Sequence, residues 1–210
     1  MDEDAIKILL VGDEKCGKTY FLSRLSAGEG DGPVKLLRDI DQPFIFEIKL
    51  GAKPYRMEFY DTNSPENWRL LEPDIVILCY DISRRLSLIN MRRQWLPDVK
   101  LAFRRPDRIP ILVLGLKRDL RSEDDPNGII YPQEAYQQAQ EMRIDRYMEC
   151  SALTGELLKL AFEDICVVLR VRSMVYFTVL RIARLRGVFL AINGQRRGIR
   201  QDAMLVRSRR

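Results

Sequence analysis

The chain of 210 residues contains no histidine. Without an imidazole, serine triads and histidine-ligated zinc hydrolysis are excluded from the start. Cysteine is scarce as well. Cys16, Cys79, Cys150 and Cys166 form no CxxC pair, so neither a zinc ribbon nor a disulfide scaffold is indicated, and a reduced, cytoplasmic chain is expected. Met1 to Leu10 begins MDEDA and lacks the basic start of a secretory leader. Uncharged apolar runs are short everywhere, well under the about 20 residues that a transmembrane helix needs. Acid is nearly missing from the last stretch: from Arg170 to Arg210, eleven Arg and no Lys stand against the single Asp202. That segment carries +10, which leaves −5 on residues 1–169 within the total of +5. A mildly acidic domain over 1–169 followed by a basic extension over 170–210 is expected, with the extension suited to an acidic partner.

What is present fits one globular domain, since 46% hydrophobic residues suffice for a buried core and argue against disorder. Strand-like apolar runs recur at AIKILLV (5–11), PFIFEIKL (43–50), YRMEFYD (55–61), DIVILCYD (74–81), IPILVLG (109–115) and RYMECSA (146–152). The fourth and fifth are almost continuously apolar, as strands covered on both faces must be. The second and third alternate like an edge hairpin turning over residues 50–54. Helices are expected over 17–26, 86–103, 132–142 and 155–170, the third led by Pro132. Turn chemistry marks GEGDG (28–32) and SEDDPNG (122–128) as loops. The pattern is an α/β fold.

Between the first strand and the first helix stands GDEKCGKT: Gly12, Asp13, Glu14, Lys15, Cys16, Gly17, Lys18 and Thr19. This is the full G-x4-G-K-[ST] spacing in its required strand–loop–helix setting. Backbone N–H groups of such a loop converge on phosphates, Lys18 adds a cation, and the Thr19 hydroxyl suits Mg²⁺.

The stretch VGDEKCGKTYFLSRL, which includes Tyr20, resembles the phosphate loop of Ras-superfamily small GTPases, the Rho branch most closely. The likeness continues through FYDT (59–62), DIVILCYDIS (74–83), SLINMRRQWLPDVK (87–100), IPILVLGLKRDLR (109–121) and YMECSALTG (147–155). It implies a phosphate-loop NTPase fold, a six-stranded, mostly parallel sheet flanked by helices. It also implies GTP and GDP as ligands, Mg²⁺ as cofactor, and signalling by switching between the two nucleotides. Lys117 and Asp119 match the family's base-binding motif: the Lys117 stem would cover the guanine and Asp119 would accept from its N1 and N2. Ser151, Ala152 and Leu153 resemble the element whose backbone N–H donates to the guanine O6. A carboxylate at N1 and N2 with a donor at O6 selects guanine, because adenine would leave these groups unpaired. Leu116 departs from the pattern, which has Asn or Thr there.

The departures gather at the end where GTP would be cleaved. Asp61 is kept and would hold Mg²⁺ through water, with Thr19 as the second metal ligand. Ser64 stands where the resemblance implies the Gly that senses the γ-phosphate, and Pro65 stands in place of the glutamine that orients water, so no catalytic residue is assigned. The segment from Asp61 to Asp74 is shorter than in Rho proteins. No threonine lies between Tyr20 and Asp61, the hydroxyls there besides tyrosine being Ser23 and Ser26, so a switch threonine is missing. Glu14 replaces a small Gly close to the γ-phosphate. Pointing inward, it would repel the ligand by about 4 kcal/mol at roughly 4 Å in an effective dielectric of about 20, an effect Lys15 would partly offset. Impaired hydrolysis is therefore expected. The rivals are a pseudo-GTPase that serves as a fixed interaction module and, disfavoured by Asp119, an ATP-using enzyme.

In the extension, Val171, Met174, Val175, Thr178, Ile182, Leu185 and Phe189 fall on one helical face opposite Arg170, Arg181 and Arg184. The periodicity leaves two alternatives open: a basic amphipathic helix lying on an anionic membrane surface, or a final helix packing on the domain or on a protein partner. The chain ends MLVRSRR without a prenylation cysteine. Asn193 to Arg210 is expected to be disordered and to touch nucleic acid only without sequence choice. A monomer is expected, with effectors and regulators that the sequence does not name.

Overall fold

The computed structural model describes residues 5–27, 43–50, 53–61, 65–103, 108–121 and 130–169. Six strands form a single sheet: β1 (Ile6–Gly12), β2 (Phe44–Leu50), β3 (Lys53–Tyr60), β4 (Ile75–Asp81), β5 (Ile111–Leu116) and β6 (Arg146–Glu149), in the order β2-β3-β1-β4-β5-β6. All pairings are parallel except the β2–β3 hairpin. The helices are α1 (Lys18–Ala27), α2 (Pro65–Trp68), α3 (Arg85–Asn90), α4 (Leu96–Ala102), α5 (Pro132–Glu141) and α6 over 158–169. This is the α/β architecture expected of a phosphate-loop NTPase, with the hairpin at one edge.

Burial follows the apolar pattern. β4 and β5 are buried at every position, the burial their unbroken apolar runs require in the middle of a sheet covered on both faces. Leu9, Val11, Leu78 and Val113 turn to one face and meet Trp68, Leu88, Met91 and Val99. The alternate residues Ile8, Leu10, Ile77 and Leu112 are fully buried as well and by strand alternation face the other way. On the hairpin, Phe46 and Phe59 meet edge to face at 5.3 Å, and Phe162 of α6 lies over both. Full burial of such a side chain, as at Phe59, contributes about 1.5–3 kcal/mol relative to exposure.

Several limits differ from expectation. The hairpin pairs as far as Leu50↔Lys53, so the strands run further and the turn is tighter than a link over residues 50–54; Gly51 and Ala52 lie outside the described residues. β6 stops at Glu149 rather than at residue 152, because the Ser151 N–H leaves the ladder for Glu156 O at 2.9 Å and the Gly155 N–H folds back to Ser151 O at 3.0 Å. That turn, with Gly155 at φ +80, delays α6 to residue 158. The helix expected over 86–103 is continuous in path but not in type: a π turn, Met91–Trp95, separates α3 from α4. Pro97 stands at the start of α4. Its ring would clash with the carbonyl four residues back and it has no N–H to offer, and a widened turn relieves both. α5 begins at Pro132 as expected.

The chain divides into one compact unit, Met1–Cys166, and a second, Val167–Arg210. The loops at 28–32 and 122–128 and the extension over 170–210 lie outside the described residues.

Candidate functional site

The residues singled out by motif collect at the carboxyl ends of the parallel strands, where open α/β sheets hold their ligands. Gly12 ends β1 so close to β4 that a Cβ on it would lie 2.2 Å from Cys79 O. Gly17 has φ +113, in the left-handed region that glycine tolerates. Between them Lys15 takes φ +60, and both Glu14 and Lys15 are exposed; the Glu14 carboxylate is therefore solvated. α1 starts directly at Lys18 with no acidic side chain in its first turn, leaving the positive end of its dipole for an anion.

Lys18 is 5% exposed, and its Nζ lies 2.9 Å from both Gly12 O and Asp13 O. A buried ammonium met by carbonyl dipoles and no carboxylate is a receptor for an anion. Cys16 is buried beside it, and burial raises its thiol pKa against the lowering charge of Lys18, so the loop carries a neutral thiol. Thr19 Oγ1 donates to Asp61 Oδ2. The first turn of α1 and the residue after β3 thus bring two hard oxygen donors to one point. That donor set suits Mg²⁺, which takes few protein ligands beside phosphate and water. Tyr20 is half-buried on α1. Among the described residues no group of three or more Cys, Asp or Glu could by itself cage a metal.

At the other end, Asp119 Oδ1 accepts from the Ser151 hydroxyl, and Ser151 Oγ accepts the Thr154 N–H at 3.0 Å. The acid and the SAL turn are thereby coupled. Ser151 and Ala152 are buried, whereas Leu153 is 63% exposed. Lys117 takes a left-handed conformation, φ 60 and ψ 42, and its Nζ pairs with Asp81 Oδ2 at 2.7 Å. Leu116 meets the phosphate loop through carbon: a Cβ on Gly17 would lie 3.7 Å from Leu116 Cδ1. Behind this loop Glu149 binds Arg121 through 2.8 Å and 2.6 Å contacts and takes the Tyr147 hydroxyl. Arg118 reaches Glu149 at 3.6 Å and also Glu156.

Residues that no motif marked complete the site. Asp13 accepts from Trp95 Nε1 at 2.7 Å and from Asn90 Nδ2 at 3.1 and 3.2 Å. Asp81 holds Lys117. Asp81 lies in the resembling stretch DIVILCYDIS and closes its apolar run, and Asn90 and Trp95 lie in the resembling stretch SLINMRRQWLPDVK, but neither stretch gave them a role, and a spacing of five fits no α-helical face. On the cleavage side, Thr62, Asn63 and Ser64 lie outside the described residues, and Pro65 is the first residue of α2.

A mostly parallel six-stranded sheet whose first strand leads through a glycine-bounded loop and a buried lysine into a helix defines a phosphate-loop protein. The chain belongs to the Ras family of small GTP-binding proteins, whose family model matches residues 7–170.

Proposed function

We propose that the protein is a Rho-like GTP-binding signalling protein that holds GTP or GDP and cleaves GTP slowly or not at all. The loop from Gly12 to Thr19 with Tyr20 receives the phosphates, Lys18 supplying the cation; Lys117, Asp119 and Ser151 to Leu153 receive the guanine. The Thr19 hydroxyl and Asp61 would hold Mg²⁺, which would supply positive charge against the phosphates. The observation that carries the reading of slow cleavage is Pro65 at the head of α2, where the resemblance implies a water-orienting glutamine and proline has no amide to do that work. Ser64 and the missing switch threonine support it, and Glu14 adds a charge at the edge of the phosphate end.

A second reading, a pseudo-GTPase that works as a fixed interaction module, is favoured by the absence of any threonine between Tyr20 and Asp61. No helix among the described residues is long and apolar enough to cross a membrane. The arginine-rich extension is read as a contact for an anionic membrane surface or a protein partner at the cytoplasmic face, and the chain as a monomer. Nucleotide extracted from the purified protein, followed by single-turnover cleavage of GTP with Mg²⁺, tests the proposal. Bound guanine nucleotide with negligible cleavage is expected. Robust turnover overturns the impairment, and a site with no affinity for GTP or GDP establishes the pseudo-GTPase.

A further inference from the structure

β4 and β5 run parallel in a register that sets Asp81 beside Leu116, so Lys117, the next residue along, rises where Asp81 ends. Asp81 is 2% exposed at the close of a strand buried throughout. A carboxylate there has forfeited its hydration and needs a full set of donors. It has them: Oδ1 accepts the Ser83 N–H at 2.9 Å and the Ser83 hydroxyl at 2.6 Å, and Oδ2 accepts Lys117 Nζ at 2.7 Å. Its own N–H is fixed on Ser87 Oγ at 3.1 Å. The other charged residues of the base loop are engaged elsewhere, Arg118 with Glu149 and Glu156 and Asp119 with Ser151.

The lysine stem bridges two parts of the site. A Cβ on Gly17 would lie 3.7 Å from Lys117 Cε, so the stem passes alongside the phosphate loop. Four rotatable bonds let a free lysine wander, and ordering it on ligand binding costs entropy. Anchoring its ammonium at a rigid strand end removes that cost before the base arrives. Leu116, with only methyl groups, makes no such tie.

We infer that Asp81 is a positioning residue for the guanine base: through its ion pair it aims the Lys117 stem. The inference rests on the nucleotide-binding reading given above. It is tested on the full chain, freed of nucleotide and titrated with a fluorescent GDP analogue in Mg²⁺. Asp81→Asn weakens binding about tenfold, chiefly through faster release. Added to Lys117→Ala, the same substitution changes affinity by less than about twofold, because the partner through which it acts is gone. Equal losses in both backgrounds mark a general structural role and overturn the inference, as does unchanged affinity of Asp81→Asn alone. Lys117→Met keeps the stem and removes the ammonium without touching β4, so it decides the matter even where Asp81→Asn does not fold. It also loses about tenfold if the anchor matters, and full affinity overturns the inference. A wild-type chain that binds no analogue refutes the nucleotide-binding reading itself, whereas binding with unaltered variants refutes only the role of Asp81.

Discussion

Gly12 is where one missing carbon decides the site. A methyl group there would meet Cys79 O at 2.2 Å and Cys79 C at 3.1 Å, and backbone in the middle of a sheet cannot yield. Gly12→Ala is expected to destabilise the fold by about 3 kcal/mol, the upper range for overpacking, and to abolish nucleotide binding; urea unfolding and nucleotide titration check both. A variant as stable as wild type would mean that β1 and β4 separate without penalty. Lys18 and Thr19 could be read in advance from the G-x4-G-K-[ST] spacing, and Asp61, Asp119 and Ser151 from the family resemblance. Asp81, Asn90 and Trp95 could not, because their partners Lys117 and Asp13 lie 36, 77 and 82 residues away and only the sheet and its flanking helix bring them together.

The stretch from α3 through the π turn to α4 shows why an element's type matters beyond its span. On an α-helix, residues five apart point about 140° from each other, and Asn90 and Trp95 could not serve one carboxylate. The π turn closes with Leu96 N–H on Met91 O, five residues back, and both side chains reach Asp13. Trp95 also packs on Trp68 of α2 at a ring separation of 6.2 Å, so the phosphate loop is braced through Trp95 against α2. Trp95→Phe keeps a ring for Trp68 and deletes the N–H to Asp13, a charge-assisted bond. A loss of about 1.5–3 kcal/mol is expected, seen as a lower denaturation midpoint together with faster nucleotide release. Lower stability with unchanged release would confine Trp95 to the core. The span of this helix was legible in the sequence, and its change of type before Pro97 was not: proline forbids a regular α turn but does not say whether the chain kinks, stops or widens. Strand identities were legible throughout because β4 and β5 have no polar face to show, while the hairpin limits depended on pairing, which a linear pattern does not carry.

For the molecule as a whole, the absence of histidine sets the response to pH. No side chain has an ordinary pKa between the carboxylates and the thiols, so stability is expected to be level between about pH 6 and 8. Above that range the buried acids all shift in one direction. Burial, with Glu149 nearby, moves Cys150 from 9.0 to about 12; burial and Glu163 move Cys166 from 9.0 to about 11; burial and Glu58 move Tyr60 from 10.0 to about 12. Burial also raises Tyr80 and Tyr147. A folded chain that keeps protons which the unfolded chain gives up is destabilised as those protons become harder to hold. The sign is therefore fixed: the contribution is complete below pH 9 and is lost as pH climbs through the window from 9 to about 12. Thermal melting followed at intervals from pH 6 to 11 should show a plateau and then a fall that begins near pH 9. A decline inside the range from 6 to 8 would point to a titrating side chain that this sequence does not contain, and a plateau reaching pH 11 would mean that the thiols and phenols are hydrated in the folded state.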